Sequence, residues 1–349
     1  MPGTLGWDDD LAVAFAPFSG THLAARVSRV DRLAVDLVRP GWDAPPRRAI
    51  VRTPRLAAAV GDWVAVRQHD QSGDGGWYVE AVLPRRTAIR RADPSGRSEA
   101  HVLAANIDVV LIATPVVPDP KPALVERMVA LAWDSGATPV VVVTKADITP
   151  EAVAIAADLA ESAPGVDVVT VSAVEDGGLL ALDAYLNEGR TVCLLGRSGA
   201  GKSTLVNALV GTEVLATADI RSDGKGRHTT THRELFVLPS GAVVIDTPGL
   251  RGAGLWASEE GLDRTFADVE ELITQCRFSD CAHSSEPGCA VLVAVQDGRL
   301  PERRLESWRK LQREARWMAT RNDARLRAEA RREWVIIHKE VRRSGRIRP

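Results

Sequence analysis

From Arg26 to Leu83 apolar and polar positions alternate in short runs: RVSRV, LAVDLV, RRAIV, DWVAVRQ and WYVEAVL. Turn material separates them, at Asp31-Arg32, Arg39-Pro40-Gly41, Val60-Gly61 and a Ser-Gly-Asp-Gly-Gly stretch at 72–76. Period-two strands with turns this frequent predict a small β-barrel or sandwich. A polar RRADPSGRS at 90–98 predicts a boundary. Beyond it the apolar runs become continuous and β-branched: IDVVLIA, TPVVVVT, VDVVTVS, TVCLLG and AVVIDTPG, spaced by helical segments at 122–135 and 151–163. Strands buried on both faces and alternating with helices predict a parallel sheet in an α/β domain. From Phe266 the pattern is helical, interrupted by a Cys-rich stretch at 276–289. It resumes as LESWRKLQREARWM, where Leu305, Trp308, Leu311, Ala315 and Met318 recur at helical spacing and read as packing surface. The expected division is a β-barrel with an N-terminal extension over 1–96, an α/β domain over 97–265 and a helical module with a basic tail over 266–349.

Composition adds exclusions. With 349 residues, 45% apolar and 26% charged, the chain is long enough for several cores and is not disordered throughout. Its apolar runs fall far short of the roughly 18 residues of a membrane span, and MPGTLGWDDD has no signal-peptide pattern, so a cytoplasmic protein without a membrane partner is expected. The net charge of −2 hides an asymmetry. Residues 301–349 carry 16 Lys or Arg against 7 Asp or Glu, an excess of nine, which leaves the other 300 residues at −11. Such a basic end is a footprint either of polyanion binding, with Arg303, Arg304, Arg309, Arg313 and Arg316 as the expected phosphate contacts, or of a solvated helix laced with ion pairs to glutamates three or four residues away.

The chemistry begins at Gly196-Arg197-Ser198-Gly199-Ala200-Gly201-Lys202-Ser203-Thr204, which follows TVCLL and opens the helical TLVNALV. Its glycines let main-chain N–H groups surround a phosphate at a helix N-terminus, Lys202 reaches the β- and γ-phosphates, and Ser203 offers a ligand to Mg²⁺. Asp246-Thr-Pro-Gly249 ends a second strand, where Asp246 is placed to hold Mg²⁺ through water and Gly249 to offer an N–H to the γ-phosphate. Between them DGKGRHTTTHRE supplies the hydroxyls of Thr229, Thr230 and Thr231 as metal sensors; spacing does not choose among them, and Thr230 stands for the three.

Thr144-Lys145-Ala146-Asp147 resembles the guanine-recognition motif of GTPases, in which the Asp carboxylate accepts two hydrogen bonds that adenine cannot donate. Ser172-Ala173 looks like the next GTPase motif, where a backbone N–H meets the guanine oxygen. Thr144 stands where most of the superfamily has Asn, a change expected to loosen the tie between base loop and phosphate loop. In ordinary GTPases the phosphate loop comes first; here TKAD and SA precede it, so the domain reads as circularly permuted. The segment after DTPG is then covalently placed to respond to the γ-phosphate. That segment leads to Cys276-x4-Cys281-x-His283-x5-Cys289, four N/S ligands suited to one closed tetrahedral Zn²⁺ site. Cys193, inside TVCLL, reads as a small core residue.

A barrel, a permuted GTPase domain and a Cys/His module with a basic tail together resemble the ribosome small subunit-dependent GTPase A family, RsgA. VLAANIDVVLIA, TKAD, GRSGAGKSTLVNAL, GRHTTTHREL, DTPGLR and the Cys/His spacing carry the resemblance over nearly the whole chain. It implies an OB (oligonucleotide/oligosaccharide-binding) fold for the barrel and binding of GTP/GDP. It further implies GTP hydrolysis stimulated by the small ribosomal subunit, binding to that subunit and its rRNA by a monomer, and a role in its late maturation. GTPases that position water with a glutamine carry it directly after DxxG. That position is Leu250, so His228, which precedes the Thr run and resembles the His the family carries there, is the expected catalytic group beside Lys202 and Thr230. No aromatic ladder is evident in the barrel. The competing reading is a GTP-dependent switch acting on a protein partner, with a purely structural zinc module.

Overall fold

The structure is a computed structural model describing residues 5–31, 34–42, 46–51, 57–68, 76–91, 101–215, 233–247 and 258–322, with side chains to 318. His228, the threonines 229–231, Gly249, Leu250 and the chain beyond 322 lie outside the described residues. Strands β1 (Leu23–Val30), β2 (Ala34–Val38), β3 (Arg47–Val51), β4 (Trp63–Gln68) and β5 (Trp77–Val82) close into a barrel in the order β1-β2-β3-β5-β4, with β4 returning to β1. The alternation in the sequence is the cause: Ala25, Val27, Val35, Leu37, Ala49, Val64, Val66 and Val79 point inward and form a core of their own.

A hairpin of β6 (Ala88–Arg91) and β7 (His101–Ala105) leads into the α/β domain. There β8 (Val109–Pro115), β9 (Thr138–Thr144), β10 (Asp167–Thr170), β11 (Thr191–Leu195), β12 (Glu234–Val237) and β13 (Val243–Asp246) lie in the order β10-β9-β8-β11-β13-β12. Every neighbouring pair is parallel except β12 with β13. Odd and even positions feed separate cores. Val110, Ile112, Val141, Val143 and Cys193 pack with Val125 and Val129 of α2 (Pro122–Asp134) and Leu159 of α3 (Ala152–Ser162). Leu111, Val140, Val142, Val192 and Leu194 pack with Leu205 and Val206 of α4 (Lys202–Val210). Burial on both faces is why these strands read as unbroken apolar runs. The chain enters at β8, winds outward to β10 and returns to β11 on the other side of β8. The winding reverses between β8 and β11, which puts a ligand crevice at the carboxyl ends of those strands.

Barrel and α/β domain share one sheet, because β1 also pairs with β12 at Arg29↔Glu234. Arg26 of β1 pins the junction. Fully buried, its guanidinium donates to the carbonyls of Leu5 (2.5 Å), Gly61 (3.2 Å) and Asn106 (3.1 Å) and to the Thr191 hydroxyl at the start of β11 (2.9 Å). The N-terminal extension is folded onto this junction as α1 (Asp9–Phe15), with Leu5, Leu11 and Phe15 buried and Trp7 set edge-on against Trp63 at 4.8 Å. Asp8 caps α1, accepting the Leu11 N–H at 2.9 Å, and pairs with Arg86 at 2.7 Å.

Helices α5 (Glu259–Thr265), α6 (Ala267–Ile273), α7 (Ala290–Gln296) and α8 (Glu302–Asn322) form the last module around Leu262, Phe266, Val291 and Leu305. Leu305, Leu311 and Ala315 of the expected stripe are buried there. Gly261 lets α5 close on α2: a Cβ at that position would fall 2.6 Å from the Ala130 carbonyl oxygen. Arg264 stacks over the Trp133 ring at 3.7 Å.

One of the arginines expected to contact phosphate, Arg304, is corrected here. Arg304 is buried, holds Asp268 through two bonds (2.5 and 2.7 Å), and donates to Glu126 (3.2 Å) and to the carbonyls of Ser162 and Thr265 (both 2.8 Å). Arg303 donates to the same Glu126 oxygen at 3.1 Å, and Arg309 to the His283 carbonyl. A guanidinium satisfies several carbonyls and carboxylates at once, so a helix that must dock across α2, α3 and α6 uses arginines inward. Arg304→Ala is expected to lower stability by about 3–5 kcal/mol, because Glu126 stays buried with a weakened partner set. Chemical denaturation with parallel GTP titration checks this; an unchanged denaturation midpoint would contradict it.

Candidate nucleotide site and metal centre

The phosphate loop is fixed by its neighbours before any ligand is considered. Gly196 leaves β11 with φ of 147°, and a Cβ there would sit 2.4 Å from the Ala113 carbonyl oxygen of β8, so only glycine fits the crevice wall. Gly199 and Gly201 take left-handed φ values of 82° and 80°, turning the chain through Arg197, Ser198 and Ala200 into α4. The first N–H groups of α4, on Lys202, Ser203 and Thr204, have no carbonyl one turn earlier within the helix, which makes this end an anion cradle. Lys202 spans the loop, its ammonium donating to the carbonyls of Gly196 (2.9 Å) and Arg197 (2.8 Å). Burial pulls its pKa down and Asp246 pushes it back up.

Asp246 ends β13, side by side with Leu194 of β11. It is 1% exposed, and burial raises its carboxyl pKa against the opposing effects of Lys202 and the Thr247 N–H. Its Oδ1 is buried with no hydrogen-bond partner among the described residues. A dry carboxylate oxygen beside the phosphate cradle is the donor a hard cation takes, so Asp246 and Ser203 fit Mg²⁺.

The base motifs stand on the adjoining strands. Asp147 follows β9 and accepts a 2.7 Å bond from the Ser172 hydroxyl, so the Ser-Ala motif orients the carboxylate. Ser172 is itself pinned through its N–H to the Gly178 carbonyl (3.0 Å), and Ala173 after it is half-buried. Lys145 takes a left-handed φ of 61° that runs its stem past Gly201, and burial lowers its pKa while Asp147 raises it. The tie expected to be loosened is intact: the buried Thr144 hydroxyl donates to the Ala200 carbonyl at 2.8 Å. A γ-hydroxyl at the strand end reaches that carbonyl directly, so the longer amide is not needed.

The second cluster joins the ends of α6 and α7. The ligand atoms of Cys276, Cys281, His283 and Cys289 all lie within 4.8 Å of one another. Cys276 Sγ stands 3.6 Å from His283 Nδ1 and 3.9 Å from Cys289 Sγ, which is 3.5 Å from the same nitrogen. Tetrahedral Zn²⁺ with bonds of about 2.3 Å to sulfur and about 2.0 Å to nitrogen sets its ligand atoms roughly 3.5–3.8 Å apart, so the donor set fits that ion. Cys193 is fully buried beneath the phosphate loop, and burial first of all pushes its thiol pKa up to about 12, which fits the core role read from the sequence.

Sequence reasoning missed a feature of the barrel. Trp42, after β2, and Trp77, opening β5, meet at 5.3 Å between ring centroids, with Arg47 over Trp42 at 4.6 Å and over Trp77 at 5.8 Å. Their separation along the chain conceals the pair; only the closure of β3 onto β5 brings it together.

A parallel sheet whose strand ends carry a phosphate loop, a metal-facing aspartate and a guanine-type loop, in permuted order and next to a five-stranded barrel, defines a circularly permuted P-loop GTPase. The RsgA GTPase family matches residues 82–256. A Streptomyces avermitilis protein named small ribosomal subunit biogenesis GTPase RsgA is 51% identical over 338 residues, covering 94% of this chain and 90% of its own. One of the same name from Methanosarcina acetivorans is 40% identical, covering 97% and 92%. The crystal structure of YjeQ from Thermotoga maritima superimposes with a TM-score of 0.61 at 25% identity, covering 84% of this chain and 98% of that one. YloQ, described as a circularly permuted GTPase, shares the fold with a TM-score of 0.60. The chain belongs to the RsgA GTPase family, and it is a GTP hydrolase.

Thr144→Val removes the hydroxyl at nearly constant volume and leaves the Ala200 carbonyl without that donor. Binding of GDP and GTP is expected to weaken together by roughly tenfold, with selectivity against ATP retained. Equilibrium titration with fluorescent nucleotides measures it, and wild-type affinities would remove the tie from the site's construction.

Proposed function

We propose that this chain binds the small ribosomal subunit and its rRNA in the cytoplasm, as a monomer, and couples GTP hydrolysis to late maturation of that subunit. The observation that carries the reading is the convergence of Thr144–Asp147, Ser172, Gly196–Thr204 and Asp246 on one sheet edge in a chain so close to small-subunit biogenesis GTPases. Among the described residues no helix is long and apolar enough to cross a membrane.

In this reading Asp147, oriented by Ser172, selects guanine, and the Ala173 N–H meets its oxygen. The N–H groups of Gly199 to Thr204 and the Lys202 ammonium hold the β- and γ-phosphates. Ser203 and Asp246 hold Mg²⁺, with Thr230 completing the set and Gly249 offering its N–H to the γ-phosphate. The ion, when bound, neutralises charge on the phosphates. Because Leu250 has no group to orient water, His228 does so, brought to the nucleotide when the subunit binds. Cys276, Cys281, His283 and Cys289 hold one Zn²⁺ that stabilises the C-terminal module. The Trp42–Arg47–Trp77 face of the barrel suits stacking on unpaired bases.

Three outcomes test this. Intact small subunits should raise GTP turnover of the purified protein well above its basal rate, whereas an equal mass of large subunits should not. His228→Ala should keep GTP and subunit binding and lose most of that stimulation; stimulated turnover at the wild-type level would assign the water to another group. Asp147→Asn should abolish the preference for GTP over ATP, read by nucleotide competition, and a retained preference would remove Asp147 from base selection.

A further inference from the structure

The loop that carries the metal ligands is organised by a residue that does not ligate. Glu286 lies between His283 and Cys289, and its carboxylate turns back on its own chain. One oxygen accepts the Ala282 N–H at 3.1 Å; the other accepts the N–H groups of Ser284 at 2.7 Å and Ser285 at 3.0 Å. These three donors flank His283, whose φ of 56° is left-handed and holds the ring toward the two sulfurs. The main chain of Glu286 serves the other side, its carbonyl accepting the Cys289 N–H at 3.3 Å. A single residue therefore fixes the second half of the ligand set, with its side chain on the His283 turn and its backbone on Cys289.

Two side chains of α8 close the opposite side. Arg309 donates to the His283 carbonyl, and the Trp308 ring stands edge-on to the imidazole at 5.8 Å while its Nε1 donates to Glu270 of α6 at 3.0 Å. The main chain on both sides of His283 and at Cys289 is thus held by contacts within the protein.

We propose that Glu286 is the positioning residue of the metal centre: it pre-forms the turn that presents His283 and Cys289, and thereby sets zinc affinity without touching the ion. The proposal rests on the reading of the Cys/His cluster as a Zn²⁺ site. Preorganisation predicts that removing the carboxylate weakens binding while leaving the coordination sphere unchanged, because all four ligands remain.

The test is a titration of the full chain with Co²⁺, followed by back-competition with Zn²⁺ against a chromophoric chelator. Glu286→Ala is expected to weaken both metals by about 10–100-fold, the range typical of partners that orient metal ligands. Its Co²⁺ absorption bands at saturation should match those of the wild type. Glu286→Gln keeps an amide oxygen for one of the two acceptor roles and should fall between the two. Unchanged affinity in Glu286→Ala would overturn the proposal, as would altered bands at saturation, which would mean that the ligand set had changed. GDP affinity, measured on the same samples, shows that the α/β domain of each variant is folded. A wild-type chain that binds neither ion would overturn the zinc reading itself, a result distinct from equal binding by wild type and variant.

Discussion

The constraint on which the rest depends is the parallel pairing of β9, β8, β11 and β13, which turns the carboxyl ends of four strands to one edge. Residue 144 closes one strand, residue 195 another and residue 246 a third, so the base loop, phosphate loop and metal-facing aspartate meet whatever their order in the chain. The geometry depends on register and not on connectivity. Permutation is tolerated because only connections at the ends of the sheet are redrawn, while the pairs between strands and their two apolar cores stay the same. The 2.8 Å bond from Thr144 to Ala200 shows how closely this fixes the site: two loops 56 residues apart in sequence are locked by one buried hydroxyl.

Permutation changes the role of the chain downstream of the sheet. The chain leaves Asp246 and Thr247 and re-enters at Ser258, whose N–H donates to Asp134 at the end of α2 (3.1 Å) and whose hydroxyl caps α5. Arg304 then grips Glu126 of α2 and the Ser162 carbonyl of α3, so the Cys/His module is attached to the α/β domain on the far side of that same segment. Arg26 and Arg304 play equivalent parts at the two domain junctions, each donating to groups of several elements. Burial pulls the Arg26 pKa down to about 10, which still leaves it charged at neutral pH. Buried guanidiniums add little net stability, since desolvation offsets much of the attraction, but they leave few alternative ways for the domains to dock.

Periodicity made the five barrel strands, the parallel strands and the long basic helix legible, because each buries a regular set of positions. The motifs were legible because phosphate, guanine and metal chemistry demand particular side chains at fixed spacing. Three features were not. The strand β12 went unread because its apolar run of three residues, after the polar DGKGRHTTTHRE, is too short for its period to show, although Leu235 is buried and the strand joins the two halves of the sheet. The short helix α1 opens on two acidic residues after its Asp8 cap and discloses its role only through Leu11 and Phe15 packing at a junction formed by distant strands. Glu286 looks like any surface glutamate until the turn folds its N–H donors around it.

The charge of the C-terminal region also takes a different meaning once its arginines are placed. Of the 16 basic residues from 301 onward, seven fall in the helix 302–322 and nine beyond it. Arg303, Arg304 and Arg309 of the seven already serve Glu126, Asp268 and the His283 carbonyl, so a phosphate would have to compete with partners that hold the module together. A contact that strips such an arginine from a buried carboxylate leaves that carboxylate unpaired, which opposes binding. Any counterion-release contribution to polyanion affinity would therefore come from the outward-facing basic residues of α8 and from those past 322.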